Sequence, residues 1–283
     1  MAVIAASVLL AVGLLPASMA PTNAKPLLVC TTAASLEGMA FCKHALRQGE
    51  YRVRALCRNP ESSRARQLAE CGAEVMVADN HDVQSLEAAF EGAHGVYAIT
   101  TWSGSGFTAD GTVVRASNLD ADHLEESEVA QGLNILAAAE RTASLEHFVL
   151  QSMHRGGRTA GSADATVPAP LHHRAKWRQE EALQASSLSC PWTIVRQPTY
   201  LENFANDATS ATGTALRLLQ PGVVSGLLDE SEELTVIAVS DLAAIALAVL
   251  RRGPEAYGGR VVAAGGARIS GRSLAAAAAR VHG

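Results

Sequence analysis

The stretch 25–60 constrains the fold of this chain more than any other part of the sequence. An apolar run at 26–30 is too short for a helix, and the small and polar residues after it predict a turn. The next residues place apolar side chains at helical spacing, and Gly49 is well suited to end that helix. Residues 52–57 then alternate as a second strand does. This order predicts a βαβ unit, in which the two strands lie parallel.

Short apolar runs and amphipathic helical segments continue to alternate after this unit. Further strands are predicted at 74–78, 96–99, 147–150 and 192–196. Strands of this kind, joined by helices, form parallel sheets that are buried on both faces. We therefore expect an α/β fold, with a doubly wound parallel sheet in the order 3-2-1-4-5-6. Two longer polar stretches, 102–122 and 155–170, predict loops.

Composition excludes several classes of function. The 283 residues are 48% hydrophobic and 18% charged, which is enough apolar material for one large domain. The net charge is −5, no run of Lys or Arg stands out, and aromatic residues are only 4%. Direct binding to nucleic acid is therefore not expected. The five cysteines form no C-x-x-C pair, which argues against a disulfide framework and against a metal site.

Residues 1–24 form a separate apolar segment. Its apolar run, 2–15, is too short to span a bilayer comfortably. The small residues around Ala20 resemble a signal-peptidase site, but the usual positive charges before the apolar run are missing. Three interpretations stay open: a signal for the secretory pathway or an organelle, a membrane-surface anchor, or an apolar tail. Any membrane contact is expected through this segment alone.

Several motifs together resemble one known family. They are V-R-A-L-C-R-N-P at 53–60, G-A-E-V and the G-A-H-G-V-Y block within 72–97, T-I-V-R at 193–196 with E-N-F at 202–204, and V-S-D-L-A at 239–243. In this order and spacing they are similar to the NmrA-like group of atypical short-chain dehydrogenases/reductases. On these motifs, residues 25–283 are identified as a member of that family.

The resemblance implies a Rossmann domain that binds NADP(H) and a cytoplasmic location. It also implies a small substrate lobe, formed by 199–238 and 254–283. Some members reduce quinones or other small carbonyl compounds, whereas others report the redox state of NADP(H) to a protein partner. Because family sequences often continue further, an end at Gly283 would leave the lobe incomplete.

The turn between the first strand and helix departs from the family pattern. Thr31, Ala34 and Glu37 stand where three glycines are expected, and Gly38 is the nearest glycine that remains. Those glycines let backbone N–H groups approach a pyrophosphate at the helix N-terminus. Added Cβ atoms and the Glu37 carboxylate should each cost about 1–3 kcal/mol of binding. We expect NADP(H) binding to be weak or lost, and three restored glycines to tighten it at least tenfold. A plain βα turn is the alternative.

Other cofactor contacts follow from the resemblance. Arg58 suits the 2′-phosphate of NADP(H), whereas an acidic residue there would favour NAD(H). Asp79 and Asn80 follow the third strand, where family members contact adenine, and Thr100 and Lys176 complete the expected set. Arg58 also has a structural interpretation as a solvated charge, and Asp79 and Asn80 have one as turn formers.

The candidate catalytic residues are Ser152, His172 and Lys176. In the superfamily, a serine polarises the substrate carbonyl, a tyrosine gives the proton and a lysine lowers the tyrosine pKa. The tyrosine belongs four residues before the lysine, and His172 occupies that position here. Alternatively, these are polar residues of a helix beside a loop, with Lys176 paired to Glu180.

Three functions therefore remain. The chain is an NADP(H)-dependent oxidoreductase acting on a small carbonyl or quinone-type substrate, a redox-sensing regulator with a protein partner, or a Rossmann scaffold that has lost its nucleotide. The missing tyrosine favours the last two, the missing glycines favour the third, and Arg58 favours nucleotide binding.

Overall fold

The computed structural model describes residues 24–102, 105–107, 113–115, 121–155, 171–204 and 233–282. The elements follow in chain order: β1 Leu27–Cys30, α1 Leu36–Gln48, β2 Arg52–Cys57, α2 Ser63–Glu70, β3 Glu74–Val77, α3 Val83–Phe90, β4 Gly95–Ala98, β5 Ser105–Phe107, β6 Val113–Arg115, α4 Ala121–Glu140, β7 His147–Met153, α5 Leu171–Gln184, β8 Trp192–Gln197, β9 Thr199–Tyr200, a 3-10 helix Leu201–Phe204, β10 Glu233–Ile237, α6 Val239–Tyr257, β11 Arg260–Ala263, β12 Ala267–Ser270 and α7 Gly271–His282.

The main sheet has seven strands in the order β11-β8-β7-β4-β1-β2-β3, and every neighbouring pair is parallel. Its first six predicted strands take the expected doubly wound order, which is confirmed. The central strand β1 is buried along its whole length because it pairs on both sides, with β2 and with β4. The chain reverses its direction of growth between β1 and β4, which creates the switch point of the sheet.

Helices cover both faces of this sheet. On one face, α1, α2 and α6 pack over a core that includes Phe41, Tyr97 and Leu247. On the other, α3, α4 and α5 pack over a core that includes Phe90 and Phe148. These two apolar layers hold the C-terminal ends of the strands in fixed positions.

The helix α6 is longer than its sequence pattern predicts. The pattern predicts a helix over 242–250 that Ser240 caps and that Gly253 and Pro254 end. In the structure α6 begins at Val239 and continues to Tyr257, with a break at Gly253, whose φ is 71°. The N-cap residue offers no side-chain hydrogen bond. Glu202 replaces that cap, because both of its carboxylate oxygens accept from the Val239 N–H, at 2.9 and 3.1 Å.

A second sheet, in the order β12-β10-β9, gathers the later part of the chain. The strand β11 pairs with β8 in the main sheet, so residues 260–263 do not belong to the smaller lobe in which they were expected. Three parts of the predictions lie outside the described residues: the segment 1–23, residues 156–170 of the loop predicted at 155–170, and residues 205–232 of the predicted lobe. Across the described ranges, no helix combines the length and the apolar character needed to cross a bilayer.

Candidate functional site

The candidate site lies at the switch point, where the turn after β1 meets the ends of β4 and β7. The turn is held by side chains rather than by glycines. The buried Thr31 hydroxyl donates to the Ile99 carbonyl and accepts from the Ile99 N–H, both at 2.7 Å. Thr32 has a φ of 50°, a conformation that usually selects glycine. Its hydroxyl donates to the same carbonyl and accepts from the Asn80 amide, at 2.8 and 2.9 Å. This network fixes the backbone in the absence of the first glycine.

Gly38 keeps the role of a closely packed glycine. A Cβ at this position would lie 2.6 Å from the Thr32 carbonyl oxygen and 2.7 Å from the Ala33 Cα. Ser35 caps the helix by accepting from the Gly38 N–H at 3.0 Å. Gly38 therefore allows the close packing of α1 against the turn that the third glycine of the family pattern provides.

Glu37 is buried, with 3% exposure, and its carboxyl accepts hydrogen bonds from the hydroxyls of Tyr97 and Tyr200. Burial raises the pKa of Glu37 above its ordinary value, although the two tyrosines and the positive Lys176 act in the opposite direction. The side chain thus lies between the main sheet and β9. This corrects the expectation that its carboxylate stands in front of a phosphate at the helix N-terminus.

The turn still fits an anionic group. Among the residues that the structure describes, none accepts from the N–H groups of Leu36 and Glu37, as is normal in the first turn of a helix. The Arg64 guanidinium donates to the Ala34 carbonyl at 3.0 Å, so a positive charge lies at the turn, and Arg58 is exposed directly after β2. These N–H groups and guanidinium groups suit the phosphates of a dinucleotide.

Asp79 and Asn80, the residues expected to contact adenine, form hydrogen bonds within the protein. The Asp79 carboxylate accepts from the His81 N–H at 3.0 Å and shapes the turn after β3. The Asn80 amide is buried and donates to the Thr32 hydroxyl, so it stabilises the turn after β1.

Lys176 lies in a second cluster, on α5. It is 1% exposed, and its ammonium donates to Thr100 Oγ1 at 2.7 Å and to Gln151 Oε1 at 2.6 Å, with Glu128 Oε1 at 3.5 Å. Burial lowers the Lys176 pKa, although the carboxylates of Glu128 and Glu37 raise it. The structure places Thr100 and Lys176 in contact, and in this arrangement protein acceptors take up the ammonium.

His172 lies one turn before Lys176 and is linked to it through Glu128. The His172 Nδ1 atom is 2.6 Å from Glu128 Oε2, and Glu128 Oε1 accepts from Thr100 at 2.9 Å. Burial alone would raise the Glu128 pKa, but Lys176 and His172 bring it below the ordinary value. The His172 ring is 31% exposed and its centroid lies 5.4 Å from that of Trp102. A buried carboxylate thus supports a partly exposed imidazole.

Ser152 does not join this cluster. Its buried hydroxyl lies near Glu180 and has no hydrogen-bond partner among the described residues, whereas Lys176 contacts the neighbouring Gln151. The alternative pairing of Lys176 with Glu180 is wrong. Glu180 is ion-paired with Arg155 at 2.8 Å and with Arg196 at 2.6 Å.

Comparison with known proteins identifies the family. The sequence profile of the NmrA-like family matches residues 25–283. The chain belongs to the NmrA-like family. The NmrA-like protein is 33% identical, over 116 residues, to an NmrA-like family domain-containing oxidoreductase of Aspergillus hancockii; this match covers 41% of the chain and 30% of the relative. A similarly named oxidoreductase of Aspergillus japonicus is 27% identical over 132 residues, which is 47% of the chain and 35% of that relative. The chain spans about a third of the length of these curated relatives.

Solved structures show the same fold. A negative transcriptional regulator, NmrA, in complex with NADP matches 90% of this NmrA-like protein and 71% of its own chain, with a TM-score of 0.67 and 19% identity. The triphenylmethane reductase of Citrobacter sp., complexed with NADP(H), matches 90% of the chain and 76% of its own, with a TM-score of 0.62 and 20% identity. The family fold therefore serves both a regulator and a reductase.

Sequence reasoning missed several residues of the site in this NmrA-like protein. One of them left a signal: Glu128 lies on the buried face of α4, four residues after Leu124 and seven before Ile135. A buried carboxylate on the apolar face of a helix needs a polar partner, but the sequence pattern does not show which residue that partner is. The contacts of Arg64, Gln151 and Tyr200 depend on tertiary packing and leave no such pattern. Within the described ranges, no group of three or more His, Cys, Asp or Glu is arranged to hold a metal ion.

Proposed function

We propose that this NmrA-like protein binds NADP(H) at the turn after β1 and reduces a small carbonyl or quinone-type compound. The observation that carries the proposal is the contact between His172 and Glu128, at the position where the superfamily places its proton donor. An imidazole supported by a carboxylate is a competent general acid. The oxidoreductase names of the relatives support this class of reaction.

The protein's own residues would perform three tasks in this reaction. The N–H groups at the start of α1 and the Arg64 guanidinium would hold the phosphates, and Arg58 the 2′-phosphate. When bound, a reduced nicotinamide supplies the hydride. His172 donates a proton to the carbonyl oxygen of the substrate. Lys176 stays internal, where its positive charge keeps the Glu128 carboxylate ionised.

A redox-sensing regulator is the second candidate, and one contact favours it. Glu37, in the first turn of α1, is hydrogen-bonded to Tyr200 on β9, which pairs with β10 of the smaller sheet. A nucleotide bound at the turn would thereby shift β9 and the smaller sheet, and a protein partner that contacts this sheet would respond to the shift. The solved regulator with the same fold supports this alternative.

Calorimetric titration of the purified chain with NADPH and NADH tests the common part of both candidates. We expect weak binding with a preference for NADPH, which Arg58→Ala should remove while some NADH binding persists. Equal affinities of the parent for both nucleotides would contradict the role of Arg58. No binding at all would leave only the nucleotide-free scaffold.

Consumption of NADPH with a panel of quinones and small carbonyl compounds separates the reductase from the regulator. His172→Phe is expected to keep NADPH affinity within about twofold and to lose about 100-fold or more in turnover, the usual size of a general-acid contribution. NADPH binding without turnover on any compound of the panel would favour the regulator.

A further inference from the structure

Hydrogen-bond donors and a positive charge surround the Glu128 carboxylate. Its Oε1 atom accepts from the Thr100 hydroxyl at 2.9 Å and lies 3.5 Å from the Lys176 ammonium. The Thr100 hydroxyl in turn accepts from Lys176 at 2.7 Å, so its own hydrogen is directed to the carboxylate. Only the Oε2 atom remains, and it faces His172 at 2.6 Å. The carboxylate is therefore fixed in position before the imidazole is considered.

This arrangement decides which nitrogen of His172 carries the proton. An ionised carboxylate can only accept hydrogen bonds, so the Nδ1 atom that faces Glu128 must bear hydrogen in both the neutral and the charged ring. The Nε2 atom is left as the exchangeable position. No described residue forms a hydrogen bond with it, and the ring is partly exposed beside Trp102. Nε2 is thus the ring nitrogen that is left for a substrate.

Two other histidines of this chain lack the arrangement, and a third has a looser form of it: the His94 Nδ1 atom lies 3.3 Å from Glu146, whose carboxylate is 67% exposed. Burial lowers the pKa of His147 to about 4, and this ring is bonded through Nε2 to the Thr193 hydroxyl at 2.8 Å. His173, the next residue to His172, also has a pKa lowered to about 4, by burial and by its neighbour's charge. Neither has a carboxylate in hydrogen-bond contact. Of these four histidines, only His172 has a buried carboxylate at hydrogen-bond distance.

We propose that Glu128 is the positioning residue of His172: it keeps the ring proton on Nδ1 and directs Nε2 towards the substrate as the proton-donating atom. The proposal rests on the reductase function above. In that reaction the C=O π bond breaks, the carbon receives a hydride from the reduced dinucleotide, and the oxygen takes the proton from Nε2. The ring is left neutral with its remaining hydrogen on Nδ1, and solvent restores the other.

The tautomer can be measured without nucleotide or substrate. In protein labelled with ¹⁵N-histidine, the ring nitrogen shifts of neutral His172 are expected to show hydrogen on Nδ1, whereas free imidazole rings favour Nε2. Glu128→Gln should lose this preference, because an amide can offer either a donor or an acceptor to Nδ1. Glu125→Gln is the matched control: it removes a buried carboxylate from the same helix, one that pairs with Arg174 and Arg178 instead. It should leave the His172 shifts unchanged.

Turnover completes the test. Glu128→Gln should lower kcat at least about tenfold while KM and NADPH affinity stay within about twofold, and Glu125→Gln should behave as the parent. Hydrogen on Nε2 in the neutral parent ring would overturn the inference even if Glu128→Gln failed to fold. With turnover intact, that result would leave the proposed function standing. Absence of NADPH turnover together with the expected tautomer would instead overturn the proposed function, and with it the catalytic role of Glu128.

Discussion

Two buried carboxyls near the same edge of the sheet have opposite ionisation tendencies. Glu37 and Glu128 are equally hidden from solvent, at 3% and 0% exposure. The pKa of Glu37 is raised by burial, whereas the pKa of Glu128 is lowered despite burial. Burial alone therefore does not decide whether a carboxyl in this protein is charged.

The partners make the difference. Two neutral tyrosine hydroxyls satisfy the oxygens of Glu37 but bring no positive charge. Glu128 faces an ammonium and an imidazole. A nearby positive charge offsets the desolvation of an anion, and a neutral hydroxyl offsets less of it. Glu37 consequently serves as a structural link between α1 and β9, and Glu128 as a charged support for His172.

Removal of the cation should have the largest effect on this contrast. Lys176→Met leaves the Glu128 carboxylate buried without its lysine, and we expect a loss of about 3–5 kcal/mol in the free energy of unfolding. Urea denaturation measures this loss. The double variant Lys176→Met with Glu128→Gln should recover part of it, because no uncompensated charge then remains. A loss below about 1 kcal/mol for Lys176→Met would mean that the ion pair does not hold Glu128 ionised.

The dependence of stability on pH should have opposite signs for the two carboxyls. Glu37, with a raised folded pKa, binds its proton more tightly in the folded state, so the parent should lose stability relative to Glu37→Gln as pH rises above 4.5. Glu128 has a lowered folded pKa. The parent should therefore lose stability relative to Glu128→Gln as pH falls from 4.5 through that lower pKa.

The stability differences of the two series should therefore change in opposite directions across the acid range. Urea denaturation of the parent and the two variants across the acid range measures both slopes. Slopes of the same sign would contradict the assignment of opposite ionisation tendencies.

The link from Glu37 to β9 should contribute less. Tyr200→Phe removes one of the two hydroxyl donors and leaves a buried carboxyl oxygen without a partner, at a cost of about 1–2 kcal/mol. Tyr97→Phe is the matched control, since it removes the other donor without touching β9. Thermal unfolding measures the stability loss of both variants. Only Tyr200→Phe should also increase amide hydrogen exchange in β9 and β10, and equal exchange in the two variants would count against the link.

The sheet could be predicted from the sequence because its strands and helices are local patterns. The apolar run of β1 and the helix stop at Gly49 are each readable within a few residues, and their order follows from βαβ connections. The site was less accessible. The family resemblance points to His172 and Lys176, but their common partner Glu128 lies 44 residues before the histidine. The sequence places Glu37 at a helix N-terminus, but its packing against two tyrosines decides where its side chain lies.

The smallest expected effect concerns the turn itself, and it separates the two explanations of weak nucleotide binding. Because the Glu37 carboxyl lies between the sheet and β9, Glu37→Gln should change NADPH affinity less than about twofold, or about 0.4 kcal/mol. Ala34 is half-buried and carries a Cβ where the second glycine would allow close approach, so Ala34→Gly should tighten binding about threefold. Calorimetric titration with NADPH compares both variants with the parent. Tightening of about tenfold by Glu37→Gln would show that the carboxylate does act on the phosphate. Glu37 would then be charged, and its contrast with Glu128 would be wrong.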